Sequence, residues 1–166
     1  VLYRWEGDST RQTVPVQIVW FDKPRSLWNK DLTIKPLQYI MDETAYQALT
    51  EGNEAEQLAR VREFWKEKDP TPDTPYNELM HEFYSRVDSA IARFSIRGRL
   101  GWQTDRGRVY ITNGPPDEIE DHSLDPIPNP HLKWIYFRNG HRVVYIFRAI
   151  EGRKHYELMN IEETTL

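Results

Sequence analysis

The residues that could do chemistry are concentrated at positions 101–108, which read GWQTDRGR. Asp105 lies directly before Arg106, and Arg108 follows two positions later. A carboxylate beside guanidinium groups can act as a general base, or as a ligand next to an anion clamp. Such a site would belong to a hydrolase. Catalysis would also need a second titratable partner, however, and the neighbouring sequence supplies none.

The same stretch has a structural interpretation, which we favour because that partner is missing. Trp102 would be a buried anchor, and Asp105 would accept backbone N–H bonds in an Asx-type turn. Gly107 would supply a positive φ just before a strand. On either interpretation the candidate motif residues are Trp102, Thr104, Asp105, Arg106 and Arg108.

A cluster of arginines overlaps this stretch. Arg97, Arg99, Arg106 and Arg108 are accompanied by a single carboxylate, Asp105, so four positive charges and one negative charge leave +3 within twelve residues. Such a cluster could bind a phosphate, a sulfated sugar or an acidic protein surface. The alternative is a solvated edge of the protein that binds nothing.

Motifs for metals, nucleophiles and cofactors are missing from the sequence. Glu78 and His81 form one Glu-x-x-His pair, whereas a di-iron bundle needs two such pairs and further glutamates. The serines lie in no G-x-S-x-G motif, and no phosphate-binding glycine loop occurs. The absence of cysteine excludes disulfides and thiolate chemistry. We therefore expect no metal, no cofactor and no catalytic residue.

The composition bounds the class of protein. The chain has 166 residues, a net charge of −4 and a pI near 5.8, which indicates one domain and argues against a nucleic-acid binder. No apolar run reaches the roughly 18 residues that a membrane span needs. Aromatic residues make up 13% of the chain, so a surface of exposed rings that binds sugars is an alternative to packing.

The elements that would position these residues begin with extended structure over about the first forty residues. Apolar side chains alternate over residues 14–20, and another short apolar stretch covers residues 32–41. The chain opens at Val1 on a pattern typical of the interior of a strand, and we therefore expect the chain to be part of a longer polypeptide. We predict that residues 1–33 are an extended β-rich segment that could end a preceding domain, and that residues 34–166 form an α+β domain.

Three helices are predicted to follow this extended part. Asp42 and Asn53 are the predicted N-caps of the first two helices. Thr74 as N-cap with Pro75 at the first helical position should start the third. In this third helix, apolar residues recur every three or four positions as far as Phe94, which predicts a wide buried stripe.

The remainder of the chain is predicted to be mainly strands and turns. Asn139–Gly140 is the strongest hairpin signal, and the acidic residues 117–130 are typical of an exposed loop. The predicted strands are residues 109–112, 132–138, 143–150 and 156–161. The expected fold class is α+β: an N-terminal extended segment, then two to three helices packed on an antiparallel sheet of about four strands.

Large rings and turn residues are predicted to hold the helical layer, residues 58–94, on the sheet. The DPTP segment at residues 69–72 and the GWQTD turn would fix the two layers at their ends. The predicted structural anchors are Trp65, Asp69, Pro70, Gly101, Gly114, Pro115, Pro116 and Trp134. Three further tryptophans lie outside these motifs and could face an upstream domain: Trp5, Trp20 and Trp28.

Four segments carry a resemblance to a known family when they are taken in order. They are FWKEKDPTPDTPYNE (64–78), FYSRVDSAIARF (83–94), GWQTDRGRVYITNGPPDEI (101–119) and KWIYF (133–137). In this order and spacing they resemble the GWxTD domain family of bacterial proteins. The resemblance implies a domain of larger extracytoplasmic proteins, in which it follows β-rich domains. It implies no activity and carries over no catalytic residue.

The function that we expect is that of a non-enzymatic interaction or scaffold domain in a larger protein of the bacterial periplasm, cell envelope or exterior. Its partners would be other protein domains or subunits of an envelope complex, with no nucleic acid and no membrane span. A peripheral subunit of a membrane-associated complex fits the same features. The alternative class is a carbohydrate-binding module or a hydrolase that uses Asp105 and exposed aromatic rings.

Overall fold

The described part of the chain is a layer of α-helices packed on an antiparallel sheet. This computed structural model describes residues 2–5, 8–11, 20–150 and 155–166, with side chains from Trp20 onward. The helices are α1 (Lys30–Ile34), α2 (Glu43–Thr50), α3 (Glu54–Glu67), α4 (Glu78–Phe94) and α5 (Asp105–Asn113). The strands are β1 (Leu2–Trp5), β2 (Asp8–Arg11), β3 (Glu118–Asp121), β4 (His131–Arg138), β5 (His141–Ile150) and β6 (His155–Thr165). The fold class is α+β, as predicted.

The main sheet is a four-stranded meander. Its strand order is β3-β4-β5-β6, and every neighbouring pair is antiparallel. The predicted hairpin turn joins β4 to β5, and both of its residues have a positive φ, 51° at Asn139 and 78° at Gly140. A type I′ turn needs that conformation at both positions, and Asn-Gly adopts it at least cost. β1 and β2 pair with each other in a separate two-stranded sheet.

One face of the main sheet carries the hydrophobic core. Successive side chains of a strand point to opposite faces, so every second residue of β4 and β5 faces the helices. On β4 these residues are Leu132, Trp134 and Tyr136, and on β5 they include Phe147. All four are buried in one cluster with apolar residues of the helices. This cluster joins the sheet to the helical layer.

The opposite face of the sheet also buries two aliphatic residues. Ile135 and Val144 pair across β4 and β5 and are 0% and 2% exposed. Glu120 on β3 contacts the Lys133 ammonium at 3.2 Å and the Arg142 guanidinium at 4.0 Å. The strand register places the Arg142–Glu120 contact across the row that contains Ile135 and Val144. The stem of the arginine can thus cover aliphatic surface while its charge stays in water.

Two of the predicted helix starts are confirmed by their caps. Asp42 accepts a hydrogen bond from the backbone N–H of Ala45 (2.9 Å) at the start of α2. Asn53 accepts one from the N–H of Glu56 (3.2 Å), and the Glu56 carboxylate accepts one in return from the N–H of Asn53 (3.0 Å). This reciprocal pair is a capping box at the start of α3.

The predicted start of the long helix at Thr74 and Pro75 is wrong. Helix α4 begins three residues later, with Asn77 as its N-cap. Asn77 is buried, and its side-chain amide also donates to the carbonyl of Trp65 in α3 (2.7 Å). The hydroxyl of Thr74 donates instead to the carbonyl of Tyr76 (2.9 Å) within the proline-rich turn. The contact of Asn77 with α3 is not visible in the local sequence, and the local signals alone therefore favour Thr74 as the cap.

The extended structure predicted for residues 32–41 is also wrong. Asn29 caps α1, and a 3-10 helix at Lys35–Tyr39 follows directly. Ile34 and Leu37 lie three positions apart and are 5% and 0% exposed in the core. A helical backbone brings residues three apart to the same side, so both side chains reach the core together.

The residues before the predicted boundary at 33 and 34 also pack on α4. That boundary falls inside α1. Ser26, in the 3-10 helix Arg25–Trp28, is buried. Its backbone N–H donates to the Asp88 carboxylate (2.9 Å), and its hydroxyl lies 3.3 Å from the carbonyl of Tyr84. The predicted strand at residues 14–20 lies outside the described residues, except for Trp20.

The strand predicted at residues 109–112 is wrong, because these residues belong to α5. Val109, Tyr110 and Ile111 are 4%, 8% and 1% exposed, so three successive side chains are buried. α5 contacts both α4 and β6, and its side chains are therefore covered from more than one side. A short apolar run does not distinguish such a helix from a strand. The fourth strand of the sheet is β3, inside the predicted exposed loop at residues 117–130.

Tyr84 of α4 connects three helices in the core. Its side chain is fully buried, and its hydroxyl donates to the carbonyl of Thr33 in α1 (2.6 Å). The same hydroxyl accepts a hydrogen bond from the indole N–H of Trp65 in α3 (3.2 Å). Burial raises the pKa of Tyr84 far above its ordinary value, so the ring stays protonated in the folded protein.

The substitution Tyr84→Phe should cost about 2 kcal/mol of unfolding free energy near neutral pH, because two buried groups lose their partner. The folded pKa is raised, so the contribution of Tyr84 is complete below the unfolded pKa of about 10 and is lost as the pH rises toward the folded value. Urea unfolding should therefore show a smaller difference between wild type and variant at about pH 11 than at about pH 7.

The matched control for this substitution is Tyr110→Phe. Tyr110 is equally part of the core, but its hydroxyl has no hydrogen bond to the residues that the structure describes. Because this variant leaves no described buried group without its hydrogen-bond partner, it should cost less than about 1 kcal/mol of unfolding free energy. Equal losses in both variants, or a Tyr84 effect that grows at high pH, would contradict the role given to the Tyr84 hydroxyl.

Candidate functional site

The GWQTD stretch forms a tight joint between α4 and α5. Gly101–Gln103 is a 3-10 helix, and α5 follows after one residue. A Cβ on Gly101 would overlap the carbonyl oxygen of Ala90 in α4, and a Cβ on Gly107 would overlap the carbonyl oxygen of Gly101. Both glycines are thus required for direct backbone contact. The positive φ predicted for Gly107 is wrong, since this residue lies inside a helix.

Two hydroxyl groups satisfy the backbone at this joint. Thr104 is the N-cap of α5, and its hydroxyl accepts from the N–H of Gly107 (3.1 Å) and donates to the carbonyl of Gly101 (2.7 Å). The hydroxyl of Ser95 accepts from the N–H of Gly101 (2.8 Å) and donates to the carbonyl of Ile91 (2.6 Å). Thr104 therefore determines where α5 begins.

Trp102 points into the core at this joint. Its side chain is 5% exposed, and its carbonyl accepts a hydrogen bond from the hydroxyl of Tyr39 (3.0 Å). The other two predicted tryptophan anchors, Trp65 and Trp134, are 4% and 3% exposed. None of the three rings is available to a ligand at the surface.

Asp105 connects α5 to an irregularity in β6. The register of β5 and β6 shifts so that Met159 is an extra residue beside Leu158, which forms a β-bulge. One carboxylate oxygen of Asp105 accepts a hydrogen bond from the N–H of Leu158 (2.9 Å). The other oxygen lies 3.4 Å from the guanidinium of Arg108. Asp105 thus accepts a backbone N–H, as predicted, but from a distant strand rather than within its own turn.

The guanidinium of Arg106 is stacked on aromatic rings. It lies 4.1 Å from the ring centre of Tyr156 and 5.1 Å from that of Phe94. Arg93 lies over Phe94 and Tyr110, at 5.3 and 5.2 Å. Burial lowers the pKa of Arg106, and the nearby charge of Arg93 lowers it further. The stacking holds this cation in place against the domain.

Arg97 and Arg99 lie on a separate, exposed turn. Two backbone hydrogen bonds close this turn, from Ile96 N–H to the Arg99 carbonyl (3.0 Å) and from Arg99 N–H to the Ile96 carbonyl (3.1 Å). Gly98 between the two arginines has a φ of 78°. The four arginines predicted as one cluster therefore divide into this turn, the stacked Arg106, and Arg108 beside Asp105.

The exposed arginine turn borders an open pocket of about 490 Å³. The opposite wall consists of Ile150, His155 and Glu157, at the ends of β5 and β6. The charge count made from the sequence over residues 97–108 does not include these three residues, because more than fifty residues separate them from the turn in the chain. Within this wall, Ile150 pairs with His155 across β5 and β6.

The predicted turn anchors differ in how they act. The carboxylate of Asp69 accepts from the N–H of Thr71 (2.9 Å). Gly114 has a φ of 79°, and its carbonyl accepts from the buried hydroxyl of Tyr136 (3.0 Å). Pro70 and Pro115 are exposed, whereas Pro116 is half-buried. The two exposed prolines can restrict the backbone but do not pack in the core.

The Glu78 and His81 pair does not come together as a metal site. Glu78 accepts a hydrogen bond from the hydroxyl of Thr71 (2.7 Å), and the His81 ring packs against Trp20 and Tyr76 at 5.8 and 5.4 Å. Across the described part of the chain, no group of three or more metal-binding side chains lies together.

Two aromatic side chains that shortly follow Trp20 in the chain are strongly exposed. Phe21 is 100% exposed and Trp28 is 75% exposed. The ammonium of Lys23 lies 3.9 Å from the centre of the Trp28 ring. The sequence singled out Trp28 by its position outside the motifs, but no pattern distinguished Phe21.

These features define an α+β domain in which a glycine-rich joint connects two helices of a layer that packs on a meander sheet. The model of the GWxTD domain family matches residues 2–165, and the chain belongs to that family. The predicted resemblance is thereby confirmed over nearly the whole chain. No solved structure matches the chain. Within the described residues, no helix combines the length and apolar character that a membrane crossing requires.

Gly107→Ala tests the backbone contact at the joint. In an ordinary helix interior this change stabilises by up to about 1 kcal/mol. Here the added Cβ would overlap the carbonyl oxygen of Gly101, so we expect a loss of about 2 kcal/mol or more in chemical denaturation. A variant that is as stable as wild type, or more stable, would show that the joint has room and that the contact is unimportant.

Asp105→Ala tests the bond to the β6 bulge. The loss of a charged, partly exposed acceptor should cost about 1–2 kcal/mol, and Asp105→Asn should cost less because it keeps an acceptor oxygen. Hydrogen exchange of the Leu158 amide should accelerate in the alanine variant beyond the general change. Asp73→Ala, at an exposed aspartate, is the matched control. Unchanged exchange at Leu158 would contradict the assignment.

Proposed function

We propose that this domain is a non-enzymatic protein-interaction or scaffold domain of a larger bacterial protein. One observation carries the proposal: the polar groups of the family motif that could do chemistry are engaged by the fold. Thr104 caps α5, and Asp105 binds the backbone of β6. Arg106 stacks on Tyr156. A carboxylate that accepts a backbone N–H and borders an arginine is poorly placed to abstract a proton from a substrate.

The burial of the aromatic rings supports the same proposal. Trp134 packs edge-on against Phe147 at 5.0 Å and lies 5.4 Å from Phe94, well inside the domain. Such contacts stabilise a core in a chain without cysteine. Among the described residues, the rings that are more than a third exposed are Phe21, Trp28 and Phe137. A sugar-binding surface would instead need several rings in a row on one face.

The extracytoplasmic setting is proposed from the family, because the resemblance implies larger proteins of the bacterial envelope or exterior. Cell fractionation with an antibody against this domain tests it in a bacterium that encodes the chain. Recovery with periplasmic, envelope or secreted proteins is the expected result. Recovery with cytosolic marker enzymes would contradict the setting, whether or not the domain binds a partner.

The interaction proposal is tested by site-specific photo-crosslinking in native envelope extracts. A photo-reactive residue is placed at position 28, at position 100 or at position 137, which sample three exposed regions of the described surface. We expect one position to give discrete adducts with a small number of proteins, and the others to give few. Buried position 134 is the control for background. Failure to form any discrete adduct from all three surfaces would contradict the proposal.

A further inference from the structure

The pocket between the arginine turn and the ends of β5 and β6 is lined by both cationic and apolar side chains. Arg97 and Arg99 stand on one side, and His155 and Glu157 on the other. Ile96 and Ile150, both half-buried, also line the pocket. A volume of about 490 Å³ lies within the usual range for small-ligand sites.

The two arginines of this turn have no carboxylate partner within the described residues. Neither Arg97 nor Arg99 forms an ion pair there, whereas Arg86, Arg108 and Arg138 each pair with a carboxylate. The chain as a whole is acidic, with a net charge of −4. On an acidic protein, an exposed pair of guanidiniums that has no carboxylate partner among the described residues is a local site for an anionic group.

The geometry of the turn fixes the backbone positions from which the two arginine side chains extend. Reciprocal backbone hydrogen bonds between Ile96 and Arg99 fix the turn, and Gly98 adopts the positive φ that it needs. Guanidinium groups bind carboxylates through two parallel hydrogen bonds, which a fixed backbone favours because less freedom is lost on binding. The turn is therefore suited to hold a carboxylate.

The opposite wall carries a negative charge, and this distinguishes among anions. Glu157 is about half-exposed, and one of its oxygens lies 3.4 Å from the ring of His155. A dense polyanion, such as a sulfated sugar chain or an anionic lipid surface, would be repelled by this carboxylate. A polypeptide segment carries N–H donors beside its own carboxylates and can satisfy both walls. Ile96 and Ile150 can then contact a neighbouring aliphatic side chain of the segment.

We infer that this pocket binds an acidic segment of a partner protein, in which Arg97 and Arg99 hold a glutamate or aspartate and Ile96 and Ile150 contact an adjacent apolar residue. The inference rests on the proposed interaction function and names the chemistry of the partner. Glu157 accepts an N–H donor of the bound segment.

The probe for this inference is a capped, fluorescein-labelled synthetic peptide that alternates pairs of glutamate with single leucines. Fluorescence anisotropy should show binding to the wild-type domain that weakens as salt rises from about 0.02 M to about 0.3 M. The variant Arg97→Ala/Arg99→Ala should bind at least about tenfold more weakly. Arg97→Lys/Arg99→Lys should fall between the two, because it keeps the charge but loses the paired hydrogen bonds.

The matched control is Arg62→Ala/Lys66→Ala, which removes the same charge from the exposed side of α3. It should bind the peptide as wild type does, and thermal unfolding should show that both double variants remain folded. Equal weakening in this control would mean that only net charge matters and would overturn the inference. Absence of peptide binding at low salt would also overturn it. So would tighter binding of inorganic phosphate, heparin or phosphatidylglycerol vesicles than of the peptide.

The crosslinking described above separates this inference from the proposed function. Each probe position is placed both in the otherwise wild-type domain and in the Arg97→Ala/Arg99→Ala variant. Partner adducts that form equally in both would support the interaction function and overturn the pocket. Adducts that are lost only in the arginine variant, together with weaker peptide binding, support both. Peptide binding without any partner adduct would support the pocket and count against the interaction function.

Discussion

Direct backbone contact at two glycines determines how the parts of this domain fit together. Gly101 lies against the carbonyl of Ala90 in α4, and Gly107 lies against the carbonyl of Gly101 in turn. The chain can therefore leave α4, pass through a short 3-10 helix and start α5 close to the helix that it has just left. Thr104 then caps α5, and the first residue of that helix, Asp105, reaches the β6 bulge. The 3-10 helix, the Thr104 cap and the bond from Asp105 to β6 thus all follow from this close backbone contact.

Helix α4 extends this arrangement through the core. Near the middle of the helix, the hydroxyl of Tyr84 forms hydrogen bonds with α1 and α3. At its C-terminal end, Phe94 contacts Tyr110 and Trp134, at 5.6 and 5.4 Å. Edge-on contacts between rings add to the burial of their apolar area. The wide apolar stripe of α4 thus contacts the other helices on one part of its length and the sheet on another. This explains why so many aromatic residues occur in a chain without disulfides.

Parts of the fold that depend on local chemistry could be predicted from the sequence, and parts that depend on distant contacts could not. Asn53 and the Asn139–Gly140 turn act on neighbouring residues, so their types alone indicate their conformations. α5 was predicted as a strand because its position depends on Gly101 and Ala90, and on burial from two sides. β3 was missed because it is a four-residue edge strand whose Ile119 is 54% exposed. Only its pairing with β4 makes it a strand.

The candidate site shows the same limit, because charge along the chain does not specify where each charge points. Arg106 stacks on the ring of Tyr156, and Arg108 lies beside the carboxylate of Asp105. Arg97 and Arg99, in contrast, lie on an exposed turn. The family motif thus holds the fold together, and the groups to which we assign the proposed recognition lie next to it rather than within it. A substitution in the motif would disturb stability and binding together. A substitution at the turn separates them, since the turn contributes charge to the surface and no side chain to the core cluster.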